Sequence, residues 1–164
     1  MPLIELEGYI LLFWITLGCF VFQLSGAMIG LAIPDSWYAK DRKIFRLKPF
    51  EKNGEFYERV FHIKAWKKYL PDGGVYKKRH LSDFTKQNLT QYIIESKRAE
   101  LSHILGFIPF VFFVLFTPWY VWIIVFFYDI LVNVPCYMAQ RYNRPRVENL
   151  LKVMESRKDA SNEN

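Results

Sequence analysis

Residues 101–139 read LSHILGFIPFVFFVLFTPWYVWIIVFFYDILVNVPCYMA, and this run is almost entirely apolar. Apart from tyrosines and one cysteine, its ionisable side chains are His103 and Asp129. A Thr-Pro-Trp sequence at 117–119 interrupts the run near its middle, and proline there favours a turn. At about 1.5 Å rise per residue, the two halves suit membrane helices joined as a tight hairpin. The predicted helices are 101–116 and 119–139.

A second uncharged run precedes this one, at residues 8–33, GYILLFWITLGCFVFQLSGAMIGLAI. It is long enough to cross a hydrocarbon core of roughly 30 Å with some tilt. No basic residue precedes it, which disfavours a cleaved signal peptide. The sequence therefore predicts an all-α integral membrane protein with three transmembrane helices. The predicted first span is 8–33.

The placement of charge predicts the orientation of these spans. All 22 Lys and Arg residues follow residue 39, in the segment 40–98 or from residue 141 onward. Three spans place those two segments on one side, and the positive-inside rule makes that side cytoplasmic. We expect a multi-pass protein of the cell membrane with its N-terminus outside and its C-terminus in the cytoplasm. The net charge of +6 favours contact with anionic lipid, and without a recognised nucleic-acid motif we expect no nucleic-acid partner.

The segment 38–98 is too short for a separate globular domain, yet it is rich in large apolar side chains. We expect amphipathic helices that lie along the cytoplasmic face of the membrane, with Asn53 capping one that begins near Phe56. The whole chain, 1–164, is then a single membrane domain. Its last parts would be a basic motif and surface helix at 140–157 and a disordered tail at 158–164.

The basic motif begins with QRYNRPR at 140–146, where the apolar run meets water. Three guanidinium groups at that depth can hold an anionic or polar head group while its apolar part stays in lipid. The positive-inside rule explains some of these arginines but not their combination with tyrosine, asparagine and proline. The candidate substrate-binding residues are Arg79, Arg98, Gln140, Arg141, Asn143, Arg144 and Arg146.

Two histidines are candidates for a general base. Glu100 and His103 share a helical face where the second span enters lipid, so the carboxylate can orient the imidazole. An alternative is that this pair only eases the transition from polar to apolar surroundings. His80 follows Arg79, and cationic neighbours would keep its ring neutral, although a basic loop explains this pair equally well.

The last span carries a polar seam, because Asp129, Asn133 and Gln140 recur at intervals of four and seven residues. Such residues must face the helix bundle or a wet cavity. For Asp129 and Asn133 the alternative to a catalytic role is hydrogen bonding between helices, with Gln23 of the first span as a possible partner. We favour that interpretation for Asn133.

Several of these motifs occur together in a known family. Asn-Val-Pro at 133–135, the motif at 140–146, and Lys-Arg-Ala-Glu-Leu at 97–101 followed by His103 resemble the glycosyl-4,4'-diaponeurosporenoate acyltransferases. The resemblance implies a bacterial membrane acyltransferase that attaches a fatty acyl chain to the sugar of a glycosylated carotenoid acid. That step is the last one toward the pigment staphyloxanthin. A similar glycolipid is the alternative acceptor.

The chemistry of acyl transfer assigns roles to the candidates. His103 would be the base with Glu100 orienting it, and His80 would be the reserve base. Asn143, Arg141 and Arg144 would bind the carbonyl oxygen or the phosphates of the donor, supported by Arg146 and Arg98. No cofactor or metal is expected, and the donor could be acyl-CoA, an acyl carrier protein or a phospholipid. The alternative function is a non-catalytic subunit that binds a glycolipid for a partner enzyme.

Overall fold

A computed structural model describes residues 8–70, 84–115 and 117–162 of the chain. Over these residues every regular element is helical, in agreement with the predicted all-α class. Three short 3₁₀ helices, Lys43–Phe45, Pro49–Gly54 and Lys67–Tyr69, supplement the α-helices. The α-helices are α1 (Gly8–Ala32), α2 (Asp35–Ala39), α3 (Glu55–Phe61), α4 (Ile63–Trp66), α5 (Lys86–Leu105), α6 (Ile108–Phe113) and α7 (Trp119–Asn162).

The chain divides into two compact units. The first comprises Met1–Ile33 and Leu101–Tyr137, and the second comprises Pro34–Glu100 and Met138–Asn164. The first unit thus contains the segments predicted to span the membrane except for residues 138–139. Among the described residues, two helices are long and apolar enough to do so, namely α1 and α7.

The core of the first unit is small and formed by three helices. Cys19 of α1, Phe113 of α6 and Val125 of α7 are buried together. A Cβ atom at Gly18 would run into the ring of Phe113, so this glycine permits the close approach of α1 and α6. Outside this core many large apolar side chains of α1 are exposed, which is typical of a helix that faces lipid.

The predicted second span, 101–116, is not one helix. Residues 101–105 are the end of α5, and α6 begins only at Ile108. The helix is interrupted at Gly106, where a Cβ would lie 2.8 Å from Cγ of Asn133. The side chain of Asn133 therefore occupies the space that a larger residue at 106 would need, and the two helices meet around it.

The predicted third span, 119–139, is part of a longer helix. Helix α7 begins after Pro118 as expected, but it continues to Asn162, so residues 158–162 are helical rather than disordered. It contains Pro135 and Pro145, each of which removes one backbone donor. The helix continues because side chains around Pro145 are anchored in the second unit, as described below.

In the second unit, α3 confirms a helix close to the predicted position. Its N-cap is Gly54 and not Asn53, and Gly54 has a φ of +88°, a backbone conformation that suits glycine. A Cβ at Gly54 would lie 3.1 Å from Cα and from O of Tyr142, so the turn lies directly against α7. The placement of α3 and α4 along a membrane stays a prediction.

Candidate functional site

The second unit contains a buried network of two arginines and two glutamates. Arg141 of α7 donates from Nε to Glu51 Oε1 at 2.5 Å and from Nη1 to Glu100 Oε1 at 2.6 Å. Arg144, one turn later, donates to the other carboxylate oxygen of Glu100. All four residues are at most 2 % exposed. Their formal charges cancel, as a buried cluster requires.

Backbone carbonyls accept further donors of the two guanidinium groups. Arg141 Nη2 donates to the carbonyl of Arg46 at 2.8 Å, and Arg144 Nη2 donates to the carbonyl of Phe45. Both arginines were predicted to bind substrate, but here their donors are directed at the protein itself. This geometry favours a structural role in which they hold the segment 45–51 and α5 against α7.

Glu51 receives two further hydrogen bonds, from the Tyr57 hydroxyl and from the backbone N–H of Lys48. Burial alone would raise the pKa of Glu51, but the hydrogen bonds from Arg141, Tyr57 and Lys48 outweigh it and hold the pKa below its ordinary value. Glu51 is therefore a carboxylate that stays ionised inside the unit.

Arg98, another predicted binding residue, is also paired. Its guanidinium donates to Asp35 and to Glu95. The neighbouring Lys97 is buried and donates from Nζ to the carbonyl of Tyr38 at 2.8 Å. Burial lowers the pKa of Lys97, and the charge of Arg144 lowers it further. These contacts join α2 to α5.

A different group of cations surrounds Tyr142, which is 1 % exposed. The guanidinium carbon of Arg146 lies 3.6 Å from the centre of the Tyr142 ring, and Lys67 Nζ lies 4.7 Å from it. Lys67 Nζ also donates to Asn143 Oδ1 at 2.7 Å. Burial lowers the pKa of Lys67, and the nearby charge of Arg146 adds to that effect. Two like charges thus lie close together at the edge of the unit.

The first unit holds the leading candidate base. His103 Nδ1 lies 3.2 Å from Oδ1 of Asn133, which is completely buried. Because an amide oxygen only accepts hydrogen bonds, Nδ1 must carry the proton in this contact. When the ring is neutral, its lone pair is then on Nε2, which is the form that a general base requires.

The remaining candidates are placed as follows. Glu100 and His103 fall in different units, with arginines bound to Glu100 and Asn133 bound to His103. Gln140 lies half-buried on α7. His80 and Arg79 lie outside the described residues.

Sequence reasoning missed the contributions of Glu51 and Tyr57, and it considered Lys67 only as a lysine that could reach lipid phosphates or lie on a solvated face. The partner of Glu51 in the network, Arg141, lies 90 residues away along the chain. Lys67 lies 76 residues from its partner Asn143, and no spacing rule connects them.

Comparisons with known proteins give a consistent result. The family model for glycosyl-4,4'-diaponeurosporenoate acyltransferase matches residues 34–153. The proteins of that name from Staphylococcus aureus strains bovine RF122 and USA300 are 37 % identical over 142 residues, which are 84 % of this chain and 86 % of theirs. The strain Newman protein is 37 % identical over 139 residues, 82 % of this chain and 84 % of its own. No solved structure matches the chain.

Proposed function

Because this chain belongs to the glycosyl-4,4'-diaponeurosporenoate acyltransferase family, we propose that it transfers a fatty acyl chain to a sugar hydroxyl of a glycosylated carotenoid acid or similar glycolipid. The relatives carry the name of an enzyme, and the chain is an acyltransferase by its family. Membership over most of the chain, including the motifs around residues 100 and 141, is the observation that carries this proposal.

The proposed location is the cytoplasmic leaflet of the cell membrane. Two apolar helices support membrane insertion, and the confinement of all 22 Lys and Arg residues to positions after residue 39 supports an outside N-terminus and a cytoplasmic C-terminus. Both reactants of the proposed reaction are amphiphiles, so a membrane surface brings the reacting groups to a common depth.

The proposed general base is His103. Its contact with Asn133 Oδ1 fixes the proton on Nδ1 and leaves Nε2 to accept one from the sugar hydroxyl. Asn133 acts as a positioning residue in this scheme, because it determines the tautomer and the orientation of the ring without touching the reacting atoms. Gly106 supports Asn133 by leaving room for its amide.

The reaction then balances without a covalent enzyme intermediate. Nε2 takes the hydroxyl proton while the sugar oxygen forms a bond to the acyl carbonyl carbon. The bond from that carbon to the donor's leaving group breaks, and the imidazolium returns its proton to the leaving group. A base positioned in this way contributes about 10²- to 10⁴-fold to such reactions.

Glu100 has a different role in this proposal from the one expected from the sequence. Both of its oxygens accept hydrogen bonds from Arg141 and Arg144, so it anchors α7 instead of orienting His103. Asn143 and Arg146 remain the candidates of the basic motif for contact with the donor. His80, which lies outside the described residues, remains the reserve base.

The test is an acyltransferase assay of the purified full chain with a glycosylated carotenoid acceptor and an acyl donor, read by mass spectrometry of the product. We expect His103→Asn to lower kcat by about 10²-fold or more, with the KM for the acceptor changed much less.

His62→Asn is the matched control, since His62 is exposed and its φ of 49° is a conformation that asparagine tolerates. Its activity should equal that of the unaltered chain. Full activity of His103→Asn would remove His103 from the mechanism and direct the same experiment to His80. Absence of any acylated product with every donor class would refute the proposed function itself.

A further inference from the structure

The cations around Tyr142 differ from the network around Glu100, because within the described residues they form no ion pair. Over the described parts of the chain, no carboxylate oxygen lies within 4.0 Å of Lys67 Nζ or of the Arg146 guanidinium. The buried arginines, Arg141 and Arg144, are in contrast bound to glutamates.

Hydrogen-bond donors remain available in this group. Lys67 uses one ammonium proton for Asn143 Oδ1, and Arg146 uses one Nη for the carbonyl of Tyr142. The other ammonium protons and guanidinium N–H groups are uncommitted within the described residues. Because Asn143 accepts through Oδ1, its amide nitrogen adds two more donors.

The support under these donors is rigid. Tyr142 is buried, and its backbone lies against the turn at Gly54, where a Cβ would lie 3.1 Å from Tyr142 O. Arg146 is stacked on the Tyr142 ring and follows it by one turn of α7. This cation–π contact holds the guanidinium group over the ring.

We propose that Lys67, Asn143 and Arg146 form a binding site for a phosphate group, with the ring of Tyr142 as its platform. Phosphate oxygens accept charge-assisted hydrogen bonds from guanidinium and ammonium groups, and both kinds of cation lie over the Tyr142 ring. The inference deepens the proposed function and depends on it in one respect, since the phosphate would belong to the acyl donor or to a phospholipid head group beside it.

A polar cavity elsewhere in this unit fits a phosphate less well. It has a volume of about 520 Å³ and borders Lys97 and Arg144, but Asp41 and Glu148 also line it. Two carboxylates there would repel an anion, whereas Lys67 has Glu58 as a nearby carboxylate but forms no ion pair with it in the described residues.

The experiment measures binding without turnover, so it is independent of whether acyl transfer is detected. The purified full chain in detergent is titrated with pyrophosphate by calorimetry, and in a second arm with phosphatidylglycerol by native mass spectrometry. We expect Lys67→Gln and Arg146→Gln each to weaken binding about tenfold in at least one arm. Lys67→Arg, which keeps the charge, should restore most of the affinity.

Lys68→Gln is the matched control, because it removes the same charge from the next residue, whose ammonium faces Tyr69 instead. A loss confined to the pyrophosphate arm identifies a soluble phosphate, as in a nucleotide or carrier donor, and a loss confined to the lipid arm identifies a head group. Unchanged binding in both arms, or an equal loss in Lys68→Gln, overturns the site. Arg146 is exposed, so Arg146→Gln decides the question if Lys67→Gln does not fold.

Discussion

The two units bury polar groups in different ways. In the second unit, Glu51, Glu100, Arg141 and Arg144 engage one another through both oxygens of each carboxylate. In the first unit, His103 meets Asn133, whose amide nitrogen is buried without a hydrogen-bond partner in the described part of the chain.

This difference separates structural from reactive chemistry. A network whose donors and acceptors are matched within the protein is fixed, and its residues have little left to offer a substrate. A buried amide with spare capacity beside an imidazole costs stability, and such costs are typical of functional sites. The sequence alone suggested that the arginine-rich motif binds the substrate, because it was the most conspicuous feature of the chain.

Glu100→Gln tests the structural half of the comparison and should have the largest effect. It removes the buried carboxylate that accepts from both Arg141 and Arg144, which leaves positive charge uncompensated inside the unit. We expect a loss of about 3–5 kcal/mol in the free energy of unfolding. Thermal unfolding of the detergent-solubilised chain measures it.

Glu148→Gln is the control for that loss. Glu148 lies 3.7 Å from Arg144 Nε and its side chain is 37 % exposed, so its removal should cost less than about 1 kcal/mol. If the two variants are equally stable, the network does not hold the second unit together, and its arginines return to the list of substrate-binding candidates.

The elements that could be predicted from the sequence are those determined by local pattern. Helix α1 ends at Ala32, within one residue of the end of the predicted first span, because an uncharged run of that length has few other stable conformations. The start of α7 follows from Pro118, which cannot continue a preceding helix.

The elements that could not be predicted depend on distant contacts. The end of α5 at Leu105 is explained by Asn133, and the continuation of α7 past Pro145 is explained by Glu51 and Glu100. For the same reason the sequence placed Arg141, Arg144 and Glu100 among the important residues but assigned them roles in binding and catalysis. Their partners lie 41–90 residues away along the chain, beyond any helical spacing rule.

Asn133→Leu tests the reactive half of the comparison. Leucine has a similar shape but offers no acceptor to His103 Nδ1, so the ring loses the contact that fixes its tautomer. We expect kcat to fall about 10- to 100-fold with KM nearly unchanged, and stability to change little because an unpartnered amide is removed. Acyl transfer kinetics and thermal unfolding of the same preparation check both parts.

Asn133→Asp is the conservative variant for this experiment, because a carboxylate oxygen still accepts from Nδ1. It should recover most of the lost kcat. Two results would contradict this role: equally low kcat in Asn133→Leu and Asn133→Asp, or a rise in KM in place of a fall in kcat. Asn133 would then act through the structure of the unit and not through the imidazole.

A smaller effect is expected from Gly106→Ala, which sharpens the same comparison. The added Cβ would lie 2.8 Å from Asn133 Cγ and would push the amide away from His103. We expect kcat to fall about threefold to tenfold. The fall is smaller than for Asn133→Leu because the contact between Asn133 and His103 is weakened and not removed.

The double variant with Asn133→Ala isolates the cause. In that background the Cβ has room, so Gly106→Ala should have almost no further effect on kcat. If the two substitutions lower kcat additively, the break between α5 and α6 contributes to kcat independently of the Asn133 side chain.

Tyr57→Phe should have the smallest effect. It measures how much one hydrogen bond to Glu51 contributes to the stability of the second unit. The Tyr57 hydroxyl donates to Glu51 and helps to hold the pKa of that carboxyl below its ordinary value. A carboxyl with a lowered pKa stabilises the folded state above its ordinary pKa, and this contribution is lost as the pH falls through the lowered value. Tyr57→Phe should therefore lower the free energy of unfolding by about 1 kcal/mol at neutral pH, with a difference from the unaltered chain that shrinks as the pH falls through the lowered pKa of Glu51. The measurement is the free energy of unfolding of both chains from neutral to acidic pH. A difference that stays constant with pH would assign the loss to contacts of the Tyr57 ring. The remaining donors would then be sufficient to keep Glu51 ionised.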